Sequence, residues 1–282
     1  MKVVVIGGAG MLGSEVAMCA HERMHHVIVP SHDEVDVLRR DMLDDCIGAF
    51  RPDIVVNCAA MLSLPLCEED PQLAYDINAK GSENVGASAA RYGAKYVYIS
   101  TGCVFGKDAT EGTVYLEHTN PNPWCSYGLT KQAGELLAMK ANPQTYIVRV
   151  SALYGPAECR GKGYNFPQLV FRQLKDEGSF TVDTLQRFCP TYAPDAAEAL
   201  WDAVEKYRPN IYHLTNSGVA QWQDVAAVVK EVCELKGEIR FATEMKTERP
   251  KSVVLFNASP IRLRLWTLAL NEYCRKHLIP NG

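Results

Sequence analysis

The sequence predicts an α/β fold: a doubly wound parallel sheet with a smaller, interleaved C-terminal region. Three observations predict it. Short apolar runs rich in Val and Ile alternate with stretches of helical period over the first half of the 282 residues. A glycine-rich turn joins the first run to the first helical stretch. The alternation loses its regularity after about residue 155.

The run KVVVIGG at 2–8 is nearly continuous in apolar residues, as a strand buried on both faces requires. MLGSEVAMCAHERM follows at helical spacing. HHVIVP at 25–30 reads as a strand, RRDMLDDCIGAF as a helix and PDIVVNCAA at 52–60 as a strand. PQLAYDINAKGSENVGASAARYG reads as one long helix with Pro71 in its first turn, where a missing N–H is tolerated. KYVYIST, SYGLTKQAGELLAMKA and TYIVRVSALYG read as strand, helix and strand. Alternation at this spacing implies right-handed βαβ units with helices on both faces of a parallel sheet. Further helices are expected near 165–177, 194–206, 221–236 and 260–277, with a strand at IYHLT.

Composition narrows the function. The chain is 47% hydrophobic and 22% charged, with a net charge of −4. This balance gives no footprint for nucleic acid or an anionic membrane. No apolar run approaches the length of a membrane span, and no signal-peptide pattern opens the chain. The ten cysteines are scattered without a C-x-x-C, and several sit inside apolar runs. Reduced thiols in a cytoplasmic protein are the expectation, with neither a disulfide framework nor a metal site.

Gly7-Gly8-Ala9-Gly10-Met11-Leu12-Gly13 follows the first strand and opens the first helix. Glycines there permit a tight turn and a close backbone approach to a pyrophosphate, and the free N–H groups of the helix start bind its charge. The fold is therefore expected to be of Rossmann type, binding NADP(H) or NAD(H). A dinucleotide-binding domain is assigned to 1–155, completed by about 186–215, and a substrate-binding region to 156–185 and 216–282. The second strand ends Val29-Pro30-Ser31-His32 with no acid at its tip. Ser31 and His32 suit a 2′-phosphate, which tilts the expectation toward NADP(H), although a plain polar loop reads equally well. Asp36 is placed to reach the adenine, and the small residues of NCAA at 57–60, counted as closing a fourth strand, suit passage of the cofactor.

Tyr127-x-x-x-Lys131 puts a phenol and an ammonium on one helix face. A Lys beside a phenol is expected to lower its pKa, and such a Tyr exchanges a proton with a carbonyl oxygen near neutral pH. Lys131 would also reach the nicotinamide ribose. Ser100 and Thr101 close the strand counted as the fifth, at the edge where open α/β sheets bind ligands. The Thr101 hydroxyl is suited to hold a substrate carbonyl beside Tyr127, or simply to cap the strand. Arg187 and Arg249 are candidates for a diphosphate, with solvated surface arginine as the competing reading for each.

With these motifs in order, the chain resembles an extended short-chain dehydrogenase/reductase, and more closely the dTDP-4-dehydrorhamnose reductase family. RPDIVVNCAA, VFG, YGLTKQAGE, FPQLVFRQL, QRFCPTYAPDAAEAL, IYHLTNSGVAQWQDVA and RPKSVVLFNA carry the resemblance nearly end to end. It implies NAD(P)H-dependent reduction of a nucleotide-linked 4-keto sugar, with Thr101, Tyr127 and Lys131 as the catalytic triad. Gly10, Met11, Leu12, Asp36, Val37, Ala59, Ala60 and Lys131 would contact the cofactor. The chain departs from the family in three places. Gly102-Cys103 replaces an acid and an aromatic, Ala152 stands where a Trp is usual, and Glu15 matches one ligand of a dimer-bridging magnesium site whose other acids QRFCPTY lacks. A nucleotide-sugar substrate is expected, and a homodimer is compatible with the resemblance. Two other readings are an NDP-sugar epimerase and a catalytically idle nucleotide-binding subunit like the regulatory subunit of methionine adenosyltransferase. Retention of the triad argues against the second.

Overall fold

The computed structural model describes residues 1–157, 163–182, 186–242 and 249–279. Six parallel strands form the central sheet. Four come first in the chain: β1 (Lys2–Ile6), β2 (His26–Ile28), β3 (Ile54–Asn57) and β4 (Lys95–Thr101). From one edge, the strand Ile211–His213 is followed by the strand Thr145–Val150, then β4, β3, β1 and β2. Asn57 thus ends the third strand and Thr101 the fourth, one place earlier than the sequence count. Chain order reverses between β1 and β3, the switch point at which such sheets bind ligands.

β1 shows why continuous apolar sequence gives a central strand. Side chains alternate faces along it. Val3 and Val5 enter one core with Val16, Leu200 and Trp201. Val4 and Ile6 enter another with Leu43, Ile47, Val85 and Ala89. A third core lies off the sheet, built from Tyr154, Val170, Phe188, Val225, Trp266 and Tyr273 among others. Short two-stranded ladders frame it, such as Ser179–Val182 with Glu238–Phe241.

The last helix is shorter than expected, Trp266–Tyr273 before a π-helical turn rather than 260–277, and three further elements differ from the sequence reading. The second strand is shorter, covering His26–Ile28 only. The run at 145–155 breaks after Val150, because Ala152 takes a left-handed φ of 42° before Leu153–Tyr154 resumes. The long helix starts at Pro71 with Asp70 as its cap, but residues Asp76–Lys80 form a wide π-helical turn before Gly81–Arg91 continues. In that turn the Asn78 side chain holds the Met61 backbone and Thr130, and the Asn78 carbonyl accepts from Tyr98 at 2.8 Å. No described helix is long and apolar enough to cross a membrane.

Candidate active site

A cavity of about 470 Å³ opens beside the glycine loop, at the carboxyl ends of β4 and the strand Thr145–Val150. Gly10, Met11, Leu12 and Gly13 form one wall, with Cys58 and Ala60 beside them. Helix α1 (Met11–Glu22) begins here with Gly10 as N-cap and no side chain capping it, so its first N–H groups are left for a ligand. The fit to a pyrophosphate lies in what is missing. A Cβ on Gly7 would stand 2.7 Å from the Ala59 nitrogen, and one on Gly13 would stand 2.4 Å from the Gly7 carbonyl oxygen. Gly7 itself needs its φ of 72°, in the left-handed region.

Thr101, Tyr127 and Lys131 line the same cavity. The helix Ser126–Ala141 carries Tyr127 and Lys131, and the end of β4 carries Thr101. Against the larger upward push of burial, the Thr101 hydroxyl beside the Tyr127 phenol pulls the phenol's pKa down. Burial pushes the Tyr127 phenol well above its ordinary range. Burial lowers Lys131 to about 7, opposed by the Glu135 carboxylate. The Lys131 ammonium donates to the Ile99 carbonyl at 2.6 Å and stands 3.9 Å from the Tyr98 ring centroid. The expectation that Lys131 draws the phenol toward neutrality is therefore corrected. In the ligand-free protein desolvation governs both groups, and Tyr127 keeps its proton.

Beneath them lies a buried ion pair. Arg149 grips Glu135 through two hydrogen bonds of 2.8 and 2.7 Å, and Ser100 donates to the same carboxylate. Ser100 thus faces the support of the Lys131 helix as well as the cavity.

The remaining wall is made of side chains from distant segments. Phe166 and Trp222 meet edge to face at 4.5 Å, and Arg249 lies 5.4 Å from the Trp222 ring centroid. Gln186 accepts from both Trp222 Nε1 and an Arg249 Nη, each at 3.2 Å, which fixes the arginine over the indole. Tyr164, Asn165 and Leu169 complete it. Ala152 lines the cavity, and Trp222 and Phe166 supply its aromatic surface. Both lie in stretches quoted for the resemblance. Their roles could not be read there, because nothing local to either places it at a cavity.

Other expected residues lie elsewhere. Gly7, at the start of the loop, and Ala59, packed against it, do not line the cavity. Val37 is buried in the core, its carbonyl accepting from Asn84, and the Asp36 carboxylate accepts from the Leu38 N–H. His32 is exposed. Arg187 does not line the cavity, since its guanidinium donates to the Glu111 carbonyl at 2.8 Å. The Ser31 N–H and hydroxyl both donate to Glu34, at 2.7 and 2.9 Å, which holds that carboxylate below its usual range and ionised. An acid therefore stands in the turn that follows the second strand, hydrogen-bonded to Ser31. Glu15 is buried with one carboxylate oxygen unpartnered, and burial raises its pKa. Among the described residues no three His, Cys, Asp or Glu side chains are grouped to hold a metal ion.

Fold and site together define an NAD(P)-dependent oxidoreductase of the extended short-chain dehydrogenase/reductase class. A sequence model of the family described as RmlD substrate binding domain matches residues 1–276, and the chain belongs to that family. The spore coat polysaccharide biosynthesis protein SpsK of Bacillus subtilis is 32% identical over 98% of this chain and 97% of its own length. A dTDP-4-dehydrorhamnose reductase of Streptomyces griseus is 31% identical over 88% of this chain and 81% of its own. The crystal structure of dTDP-4-dehydrorhamnose reductase from Bacillus anthracis in complex with NADP superposes with a TM-score of 0.89, at 28% identity, covering 96% of this chain and 98% of that one.

Proposed function

We propose that the protein reduces the keto group of a nucleotide-linked 4-keto-6-deoxy sugar, with dTDP-4-dehydrorhamnose as the first candidate. The observation that carries this reading is one cavity in which an uncapped helix start, a Thr101–Tyr127 hydroxyl pair and an Arg249–Trp222 pair face the same space. A nicotinamide dinucleotide bound against the glycine loop supplies a hydride. This chain does the rest. The Thr101 hydroxyl orients the carbonyl oxygen, and Tyr127, held protonated by its burial, gives that oxygen its proton. Lys131 offers its ammonium to the ribose and to the proton path behind Tyr127. Arg249 takes the diphosphate with its planar fork, while Trp222 and Phe166 pack against the apolar faces of the substrate.

Gly7, Gly10, Met11, Leu12, Gly13, Ala59 and Ala60 form the dinucleotide side of this reading. Both NADPH and NADH are admitted, with Glu34 setting the balance between them. Residues 1–155 and about 186–215 bind the dinucleotide, and 156–185 and 216–282 shape the sugar nucleotide side, with the third core joining the two through Tyr154, Phe188 and Tyr192 on one part and Val170, Val225 and Trp266 on the other. The nine described cysteines are free, which suits work in a reducing cytoplasm.

The test is a panel of NDP-4-keto sugars mixed with reduced dinucleotide. Loss of the reduced-nicotinamide absorbance is expected with a dTDP-linked 4-keto-6-deoxy sugar. Tight dinucleotide binding with no turnover of any keto sugar would overturn the proposal.

A further inference from the structure

Two thiols meet beside Tyr127, and the chemistry above uses neither. Cys103 lies in the short 3₁₀ turn Gly102–Val104 that follows Thr101, and its N–H donates to the Thr101 hydroxyl at 3.2 Å. Cys125 is the N-cap of the Tyr127 helix, its Sγ accepting the Gly128 N–H at 3.4 Å. Gly128 brings them together. A Cβ there would stand 2.0 Å from the Cys103 carbonyl oxygen, so the missing side chain lets the turn press against the first turn of the helix. The two thiols stand close enough to shift each other's pKa, Cys103 down and Cys125 up. Both pack on the small cluster of Cys67, Ala74 and Tyr127, and both are half-buried rather than sealed in the core.

We propose that Cys103 and Cys125 are a thiol modification site: a small-molecule disulfide converts them into a reversible internal disulfide that ties the Thr101 turn to the Tyr127 helix and arrests turnover. The exchange balances without any other reactant. The Cys103 thiolate attacks one sulfur of R–S–S–R and expels R–S⁻. The Cys125 thiol gives its proton to solvent and attacks the Cys103 sulfur of the mixed disulfide, expelling the second R–S⁻. Each released thiolate takes up a proton, so two protein thiols are oxidised and one external disulfide is reduced to two thiols. Cys103 is the better first nucleophile. Contacts with Cys125 and Thr101 and the nearby Arg249 charge lower its pKa against the pull of burial.

The arrest follows from length. A disulfide spans about 2.05 Å between sulfurs, well inside the van der Waals contact distance of two separate thiols. Closing it pulls the turn and the helix start toward each other. The paired Thr101 and Tyr127 hydroxyls ride on those two segments. A displacement near 1 Å at a reacting group costs on the order of 100-fold in rate. That consequence rests on the proposed roles of Thr101 and Tyr127, whereas formation of the bond does not.

The experiment treats the intact protein with oxidised glutathione, blocks remaining thiols and digests with trypsin without reduction. Cleavage after Lys95, Lys107 and Lys131 leaves Cys103 on peptide 96–107 and Cys125 on peptide 108–131. The expected product is the two peptides joined, two hydrogens lighter than their sum. Turnover should fall by roughly 100-fold and return with dithiothreitol. Cys125→Ser keeps a capping oxygen for the helix, so its turnover should match the wild type and resist the oxidant. The Cys233–Cys274 pair, whose thiols also interact, serves as control, because it lies with the third core away from Tyr127. Blocked thiols recovered at both 103 and 125 after oxidation would overturn the proposal. So would a cross-linked protein that keeps its turnover, or a Cys125→Ser variant inactivated like the wild type. A reduced wild type that reduces no keto sugar counts against the proposed function instead, and the joined peptide still decides the site.

Discussion

The cavity has walls of two kinds. The glycine-loop wall is backbone: a bare helix start and positions where a Cβ would collide with Ala59 or Gly7. The facing wall is side chain: Trp222, Phe166 and Arg249, brought from three segments and locked by Gln186. A backbone wall recognises what every dinucleotide shares, its pyrophosphate. A side-chain wall can be rewritten one residue at a time, and Ala152 is part of it. Generality is thus held by main chain and specificity by side chains.

The largest expected effect falls where the two walls meet. Tyr127→Phe keeps the ring and removes only the acid, so turnover should fall by about 10²–10⁴-fold with dinucleotide affinity nearly intact. Titration calorimetry beside steady-state kinetics reads both, and near-normal turnover would remove Tyr127 from the mechanism. Next comes the backbone wall. A Cβ at Gly10 meets only the Gly7 carbonyl oxygen, at 3.3 Å, so Gly10→Val should fold and fill the pyrophosphate space. Dinucleotide affinity should drop by about 100-fold, the weight of two charge-assisted hydrogen bonds. Unchanged affinity in a folded variant would move the cofactor elsewhere.

The side-chain wall should answer differently. Arg249→Ala is expected to raise KM for the sugar nucleotide by roughly 10–100-fold while leaving dinucleotide affinity alone. A loss of dinucleotide affinity instead would erase the distinction between the walls. The smallest effect tests the tip of the second strand. Glu34→Gln removes the ionised carboxylate beside Ser31, and the preference for NADPH over NADH should rise by about tenfold as a charge repelling the 2′-phosphate disappears. A ratio of dissociation constants that does not move would show that Glu34 points away from the bound ribose.

The same contrast explains what the sequence discloses. The backbone wall was legible because glycine at fixed spacing after an apolar run has few other uses. Tyr127 and Lys131 were legible because helix geometry puts i and i+4 on one face. Trp222 was not, since its place depends on the third core and on Gln186, which lies 36 residues away in the chain. Arg187 and Arg249 look alike in sequence, and what separates them is the pairing of Arg187 with the Glu111 carbonyl and of Arg249 with Gln186. The acid in the turn after the second strand was missed because the strand ends at Ile28 and the chain turns back, carrying Glu34 to Ser31. The pKa of Tyr127 was misjudged because a Lys four residues on says nothing of burial, and burial dominates.

The wide turn at Asp76–Lys80 bears on how this chain tolerates change. An α-helix advances about 100° per residue. The π-helical turn therefore sets the phase between the half that starts at Pro71 and the half that packs Val85 and Ala89 against the sheet. Loss of a single residue there would let the turn close into ordinary α-helix with Val85 and Ala89 still facing the sheet, because a π-helical turn carries one residue more than an α-helical one, but it would withdraw Asn78 from Met61 and Thr130. Substitutions on the exposed side of this segment are cheap, whereas the extra residue is what seats Asn78. It works like a key cut to one depth, holding the floor of the cavity and the Tyr127 helix in step.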